Sequence, residues 1–128
     1  MSYIETLTAK KLLLIDGIGA LISALFIGLV WLPNAEITGL PAALLWWLAA
    51  LPIAFCVLDF SNGLRGKYRF GLRLVAPLNL AYCAFSGLAL SYYWWDISIW
   101  VKLYFSGEIG LVLILSYVEL RFLVAKKA

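Results

Sequence analysis

Three acidic residues stand where acids are expensive. Asp16, Glu108 and Glu119 each interrupt a long apolar run, and a charge placed in hydrocarbon costs roughly 2.5–3.5 kcal/mol on insertion scales. Each therefore needs a polar partner, water or neutralisation. Asn79, Tyr82 and Ser86 supply uncharged hydrogen-bonding groups inside another apolar run. Carboxyl groups set against such partners inside a membrane can bind a proton, a cation or a small polar solute; the plainer role is to satisfy one another and fix helix register.

Other chemistries have no residues to perform them. The chain has no His, which removes bis-His haem ligation, the His-containing zinc sites and any His-based catalytic triad. Its two cysteines, Cys56 and Cys83, form no Cys-X-X-Cys pair. They fall at different expected depths, too far apart for a disulfide within one chain. Gly17-Ile18-Gly19 lies inside an apolar run with no preceding strand, so it is no dinucleotide fingerprint. The residues imply no catalytic group, no metal and no cofactor, hence a non-enzymatic protein.

Helical geometry tests whether the polar residues share faces. At 100° per residue, Asp16, Gly19, Ala20 and Ser23 fall within about a 100° sector of the first run, a small-residue face suited to close packing. Asn79, Tyr82, Cys83 and Ser86 follow the i, i+3, i+4, i+7 pattern of a single stripe. Glu108 and Glu119 come out only about 20° apart on the last run. Asp16, Asn79 and Glu119 lie about 6–10 Å from the ends of their helices, whereas Tyr82, Ser86 and Glu108 lie nearer mid-depth. The expectation is two polar layers inside one bundle: a vestibule of Asp16, Asn79 and Glu119 open to the cytoplasm, and a deeper site in which Glu108 hydrogen-bonds Tyr82 or Ser86.

These residues must be positioned by membrane-spanning helices. Of 128 residues 65% are hydrophobic and 13% charged, with a mean hydropathy of +0.98, whereas soluble domains are about half apolar and a quarter charged. At about 20 residues per crossing the length allows four spans and no soluble domain. The pattern predicts one transmembrane domain over 1–128, with helices near 12–32, 41–58, 72–93 and 98–123. Leu32-Pro33-Asn34-Ala35-Glu36 lacks a small-X-small site, so the first run reads as a retained helix and not a cleaved signal. Pro52 is expected to kink the second helix, and residues 59–71 read as a loop.

Nine of the ten Lys and Arg residues fall on one side of this layout. Lys10 and Lys11 precede the first span, Arg65, Lys67, Arg69 and Arg73 lie between the second and third, and Arg121, Lys126 and Lys127 end the chain. Positive residues mark the cytoplasmic side, so both termini are expected there, in a multi-pass protein of the bacterial inner membrane. The same cations, dispersed around the spans, form no continuous groove for nucleic acid. Arg65, Lys67 and Arg69 fix topology and meet anionic lipid, with a partner contact as the alternative. All six Trp, including Trp94, Trp95 and Trp100, map near the opposite interface as an aromatic belt or a docking rim for a partner.

Ile15 through Ala24, Gly39-Leu40-Pro41, Asn79-Leu80-Ala81-Tyr82-Cys83, and Glu108 after Tyr104-Phe105 give the chain a resemblance to short four-helix bacterial inner-membrane proteins of no assigned activity. The resemblance covers nearly the whole chain. It implies a four-span architecture and singles out Asp16, Asn79, Tyr82 and Glu108 without supplying a substrate. The sequence thus points to an all-α, N-in/C-in four-transmembrane-helix bundle. Two roles follow. An interior site formed by Asp16, Asn79, Tyr82, Ser86, Glu108 and Glu119 binds or translocates a small solute, cation or proton, alone or in a homo-oligomer; or the chain is an accessory subunit of a larger membrane complex, with these groups as internal glue.

Overall fold

The structure, a computed structural model, describes residues 3–125, with their side chains from residue 7 to 124. Lys126 and Lys127, counted above for orientation, lie outside the described residues. The first helix, α1, spans Tyr3–Phe26 and ends in a π-helical turn, Ile27–Trp31. A one-turn helix, α2 (Ala35–Thr38), leads into α3 (Ala42–Leu64), α4 (Tyr68–Tyr92) and α5 (Ile99–Ala125). Among the described residues every element is helical. Leu7–Trp31, Ala42–Leu64 and Tyr68–Tyr92 are each long and apolar enough to cross a membrane.

Short connections make successive long helices antiparallel neighbours. α1 packs along α3, α3 and α5 flank α4, and α1 and α5 barely touch. Two apolar clusters hold the bundle at different levels. Ile27, Leu45, Leu48, Phe55, Val101 and Phe105 are central to one. Ala9, Leu12, Leu13, Leu72 and Leu123 form the other, where the two chain ends meet the start of α4. Buried polar residues lie between the clusters.

The stretch 59–71, expected to be a loop, is mostly helix. α3 continues to Leu64, and only 65–67 separate it from α4. Asn62 explains the continuity: its Nδ2 donates to the Leu58 carbonyl at 2.8 Å, and its own carbonyl accepts from Lys67 N at 2.9 Å. Asp59 and Asn62 are buried on the same face as Leu48, Pro52 and Phe55. Their polarity belongs to the interior of the bundle and not to a loop.

At the opposite end, Thr38 and Gly39 tie the first connection to the last. Thr38 Oγ1 donates to the Ala35 carbonyl at 2.7 Å and accepts from Leu40 N at 3.0 Å, while its carbonyl accepts from Ser98 N at 3.2 Å. Gly39 closes α2 with φ +83°, a conformation that only glycine adopts without strain. A Cβ at this position would overlap the Asp96 carbonyl. Gly39→Ala is expected to cost more than about 1 kcal/mol and to lower the thermal midpoint in detergent. Gly107→Ala, in mid-helix with nothing within 4 Å of the added carbon, is expected to hold or raise it.

Candidate functional site

The lower polar layer is organised by Asn79 of α4. Its Nδ2 donates to Asp16 Oδ1 at 3.0 Å, with Oδ2 at 3.2 Å, and to Glu119 Oε1 at 3.3 Å. One amide therefore joins α1, α4 and α5. Asp16 and Glu119 are 5% and 0% exposed, so both acids turn inward as the helical phases predict.

A fourth acid, Asp59 of α3, joins them and was not anticipated. It is 1% exposed, and the Asp16 and Glu119 carboxyls face it, Asp16 within hydrogen-bonding reach. Gly17 brings it there. A Cβ on Gly17 would stand 3.1 Å from Asp59 Cβ and 3.2 Å from the Phe60 ring, so the bare glycine is what lets α3 lie against α1 at this level. The expected packing face, through Gly19, is displaced: a Cβ added to Gly19 would meet nothing within 4 Å. Asp16 lies between the two glycines in helical phase, with α3 on its Gly17 side and an open space on its Gly19 side.

The upper layer is built on Tyr82, whose hydroxyl donates to Glu108 Oε1 at 2.5 Å. Ser86 is buried beside Tyr82, and Cys83 Sγ packs 3.8 Å from the Ile109 carbonyl. Both cysteines are free and buried. Ser23 and Tyr104 approach the Glu108 carboxyl without closing a hydrogen bond to Oε2, which is buried and unpartnered. All six residues expected at an interior site are buried, five of them within the two hydrogen-bonded sets.

A cavity of about 670 Å³ connects the layers, lined by Asp16, Asn79, Tyr82 and Glu108 together with apolar and small residues. Phe55 and Tyr82 form one wall, their rings 5.9 Å apart. The cavity lies between α1 and α5, not along the bundle axis. Its rim carries Ile22, Leu111 and Ile114, which are 61%, 71% and 64% exposed. Above it the Phe26 ring stacks on Tyr104 at 4.6 Å; below it lies the Leu12–Leu123 cluster. The expected vestibule open toward the chain ends is thus replaced by a cleft open to the side, because apolar side chains fill the space between the lower acids and the chain ends. Among the described residues, no three His, Cys, Asp or Glu side chains are placed to hold a metal ion.

The residues considered for partner contact fare differently from one another. Trp95 and Trp100 are 90% and 70% exposed. Trp94 is engaged within the chain, with Lys102 Nζ 4.6 Å from its ring centroid. Arg65 and Lys67 are exposed, but Arg69 Nη2 donates to the Leu123 carbonyl at 3.2 Å, which assigns it to holding α5 against α4. No family model, curated protein or solved structure matches the chain.

Removing Asn79 takes the donor from two buried acids at once. Asn79→Ala is expected to cost about 1–3 kcal/mol for each acid left without its partner. In a denaturant titration of the reconstituted protein, the same substitution in an Asp16→Asn background is expected to cost less, because the two residues are coupled. Equal losses in both backgrounds would mean that the bridge contributes nothing to stability.

Proposed function

We propose that the chain is a non-enzymatic integral membrane protein of a bacterial inner membrane whose four long helices all cross the bilayer, with both termini cytoplasmic, and whose interior acidic site binds, or passes, a small solute, cation or proton. The observation that carries this reading is that Asp16 and Glu108, held by Asn79 and Tyr82, line one cavity, with Glu119 buried behind Asn79 on the same amide. Structural glue needs hydrogen bonds; it has no need of a cavity beside them.

Two features support the fourth span. α5 is 27 residues long, about 40 Å at 1.5 Å per residue, and it packs along α4. Its two acids are buried within the bundle, while Lys102 and Arg121 sit near its ends, where long cationic side chains reach the interface. With four spans, the Lys/Arg-rich ends of the helices share one side, and the connections carrying Glu36 and Asp96 share the other. That distribution supports cytoplasmic termini. It can be checked with single cysteines introduced at Glu36, Arg65 or Asp96 in a Cys56→Ser, Cys83→Ser chain. A membrane-impermeant maleimide applied to intact cells is expected to label positions 36 and 96, and position 65 only after permeabilisation; the reverse pattern would overturn the orientation.

A second reading, an accessory subunit of a larger complex or a homo-oligomer, has the exposed Trp95 and Trp100 in its favour. Infrared difference spectroscopy of the reconstituted protein separates the two. When the buffer is stepped in pH, or exchanged between sodium and methylammonium, a binding site is expected to give carboxyl-band changes. These should be lost in Glu108→Gln or Asp16→Asn variants that still melt with the wild type. A silent spectrum, or variants that only aggregate, would leave the accessory role standing.

A further inference from the structure

We infer that the cleft between α1 and α5 takes a protonated amine carrying an apolar body, which enters sideways from the acyl-chain region and sets its ammonium on Glu108. The inference rests on the reading of α1 and α5 as membrane spans and narrows the ligand of the site proposed above.

Four observations converge on this occupant. Glu108 is 8% exposed and lines the cavity; Tyr82 holds its Oε1, and its Oε2 is left without a closed hydrogen bond, with only the neutral Ser23 and Tyr104 hydroxyls near the carboxyl. A buried acceptor of this kind can take a further donor. No Lys or Arg lines the cavity, so the complementary charge has to come from the ligand. Around the carboxyl, Phe55, Tyr82 and Tyr104 present rings, and aromatic faces attract ammonium groups. The rest of the lining is predominantly apolar, and at about 670 Å³ the cavity falls within the range of small-molecule sites.

The shape of the opening selects an amphiphile over a compact ion. Glu108 and Glu119 stand about 16 Å apart along α5, so the acids do not converge as a coordination cage would require. The rim formed by Ile22, Leu111 and Ile114 faces outward between two spans. A ligand that partitions into lipid reaches such a rim directly, whereas a hydrated ion would have to cross acyl chains first. A second copy of this chain fits less well, because its Lys and Arg residues lie near the ends of the spans, leaving Glu108 without a cation at its own level.

Gly107 makes the site testable without removing its carboxyl. Gly107 lines the cleft, and a Cβ there would meet nothing within 4 Å; Gly107→Leu is expected to extend into the cavity and to melt at or above the wild-type temperature. In nanodiscs, calorimetric titration with phenylbutylamine is expected to show a saturable component. Phenylbutanol and phenylbutyrate are expected to show only lipid partitioning. Glu108→Gln should weaken the amine component at least tenfold, and folded Gly107→Leu should abolish it. The inference is overturned if phenylbutanol matches the amine, or if folded Gly107→Leu binds the amine undiminished. Should the amine show no preference while the carboxyl bands still answer pH and methylammonium, this inference alone falls; if those bands are silent as well, the binding site falls with it.

Discussion

The bundle depends on one side-chain amide. Asn79 carries two N–H groups on a single nitrogen, and the structure aims them at acids of two different helices, Asp16 of α1 and Glu119 of α5. Those helices have little direct contact, so α4 mediates between them. Each of the four buried acids carries a desolvation penalty of several kcal/mol, so together they rival the whole stability of a typical domain. A fold that places them together must recover most of that cost locally. Asn79 is suited to the task because the amide donates to carboxyl groups without adding a charge. An Asp at that position would add another acid, and a Leu would leave two acids without their donor.

The other buried polar groups follow from that placement. Once Asp16 faces α4, Gly17 on the neighbouring phase of α1 faces α3, and the absence of a side chain allows Asp59 to come up against the same cluster. Tyr82 follows Asn79 by one turn of α4 and reaches Glu108, which lies about three turns from Glu119 on nearly the same face of α5. The two polar layers are therefore in register because α4 and α5 each repeat their polar residues at whole turns. The apolar clusters on either side exclude water from the ends of the bundle, which strengthens every hydrogen bond between them.

Helical phase made most of this site legible in the sequence. Asp16, Asn79, Tyr82, Ser86, Glu108 and Glu119 could be assigned to inward faces from spacing alone, because an acid on an otherwise apolar helix is least costly where polar partners face it. Asp59 escaped for a physical reason. Polar residues clustered with glycine, as in Asp59-Phe60-Ser61-Asn62-Gly63, resemble a loop by composition, and composition does not distinguish a loop from the polar interior face of a helix. The distinguishing signal was present: the buried positions Leu45, Leu48, Pro52, Phe55, Asp59 and Asn62 keep a spacing of three and four residues straight through the polar stretch. The sideways opening was less accessible, since spacing says which residues share a face and not which helix fills the space in front of it. Arg69 illustrates the same limit, because its partner is a backbone carbonyl 54 residues away.

A ring of four antiparallel helices has four seams, and this one leaves the seam between its first and last helices open. Three seams follow chain connections, so short loops hold their helices together whatever the side chains do. The fourth, between α1 and α5, has no loop and must be closed by packing alone. Gly19 and Gly107 are the residues through which two helices could approach closely, yet a Cβ added to either would meet nothing within 4 Å. Apolar contact across this seam includes the aromatic stack of Phe26 on Tyr104 at one end and the apolar cluster at the other. Between those two closures, the acids of α1 and α5 both turn toward α4, which draws the polar surface of each helix inward and leaves aliphatic residues at the rim. The same interaction that resolves the cost of burying the acids therefore also shapes the cleft: polar at its floor, aliphatic at its mouth, and open on the side where no loop ties the helices together.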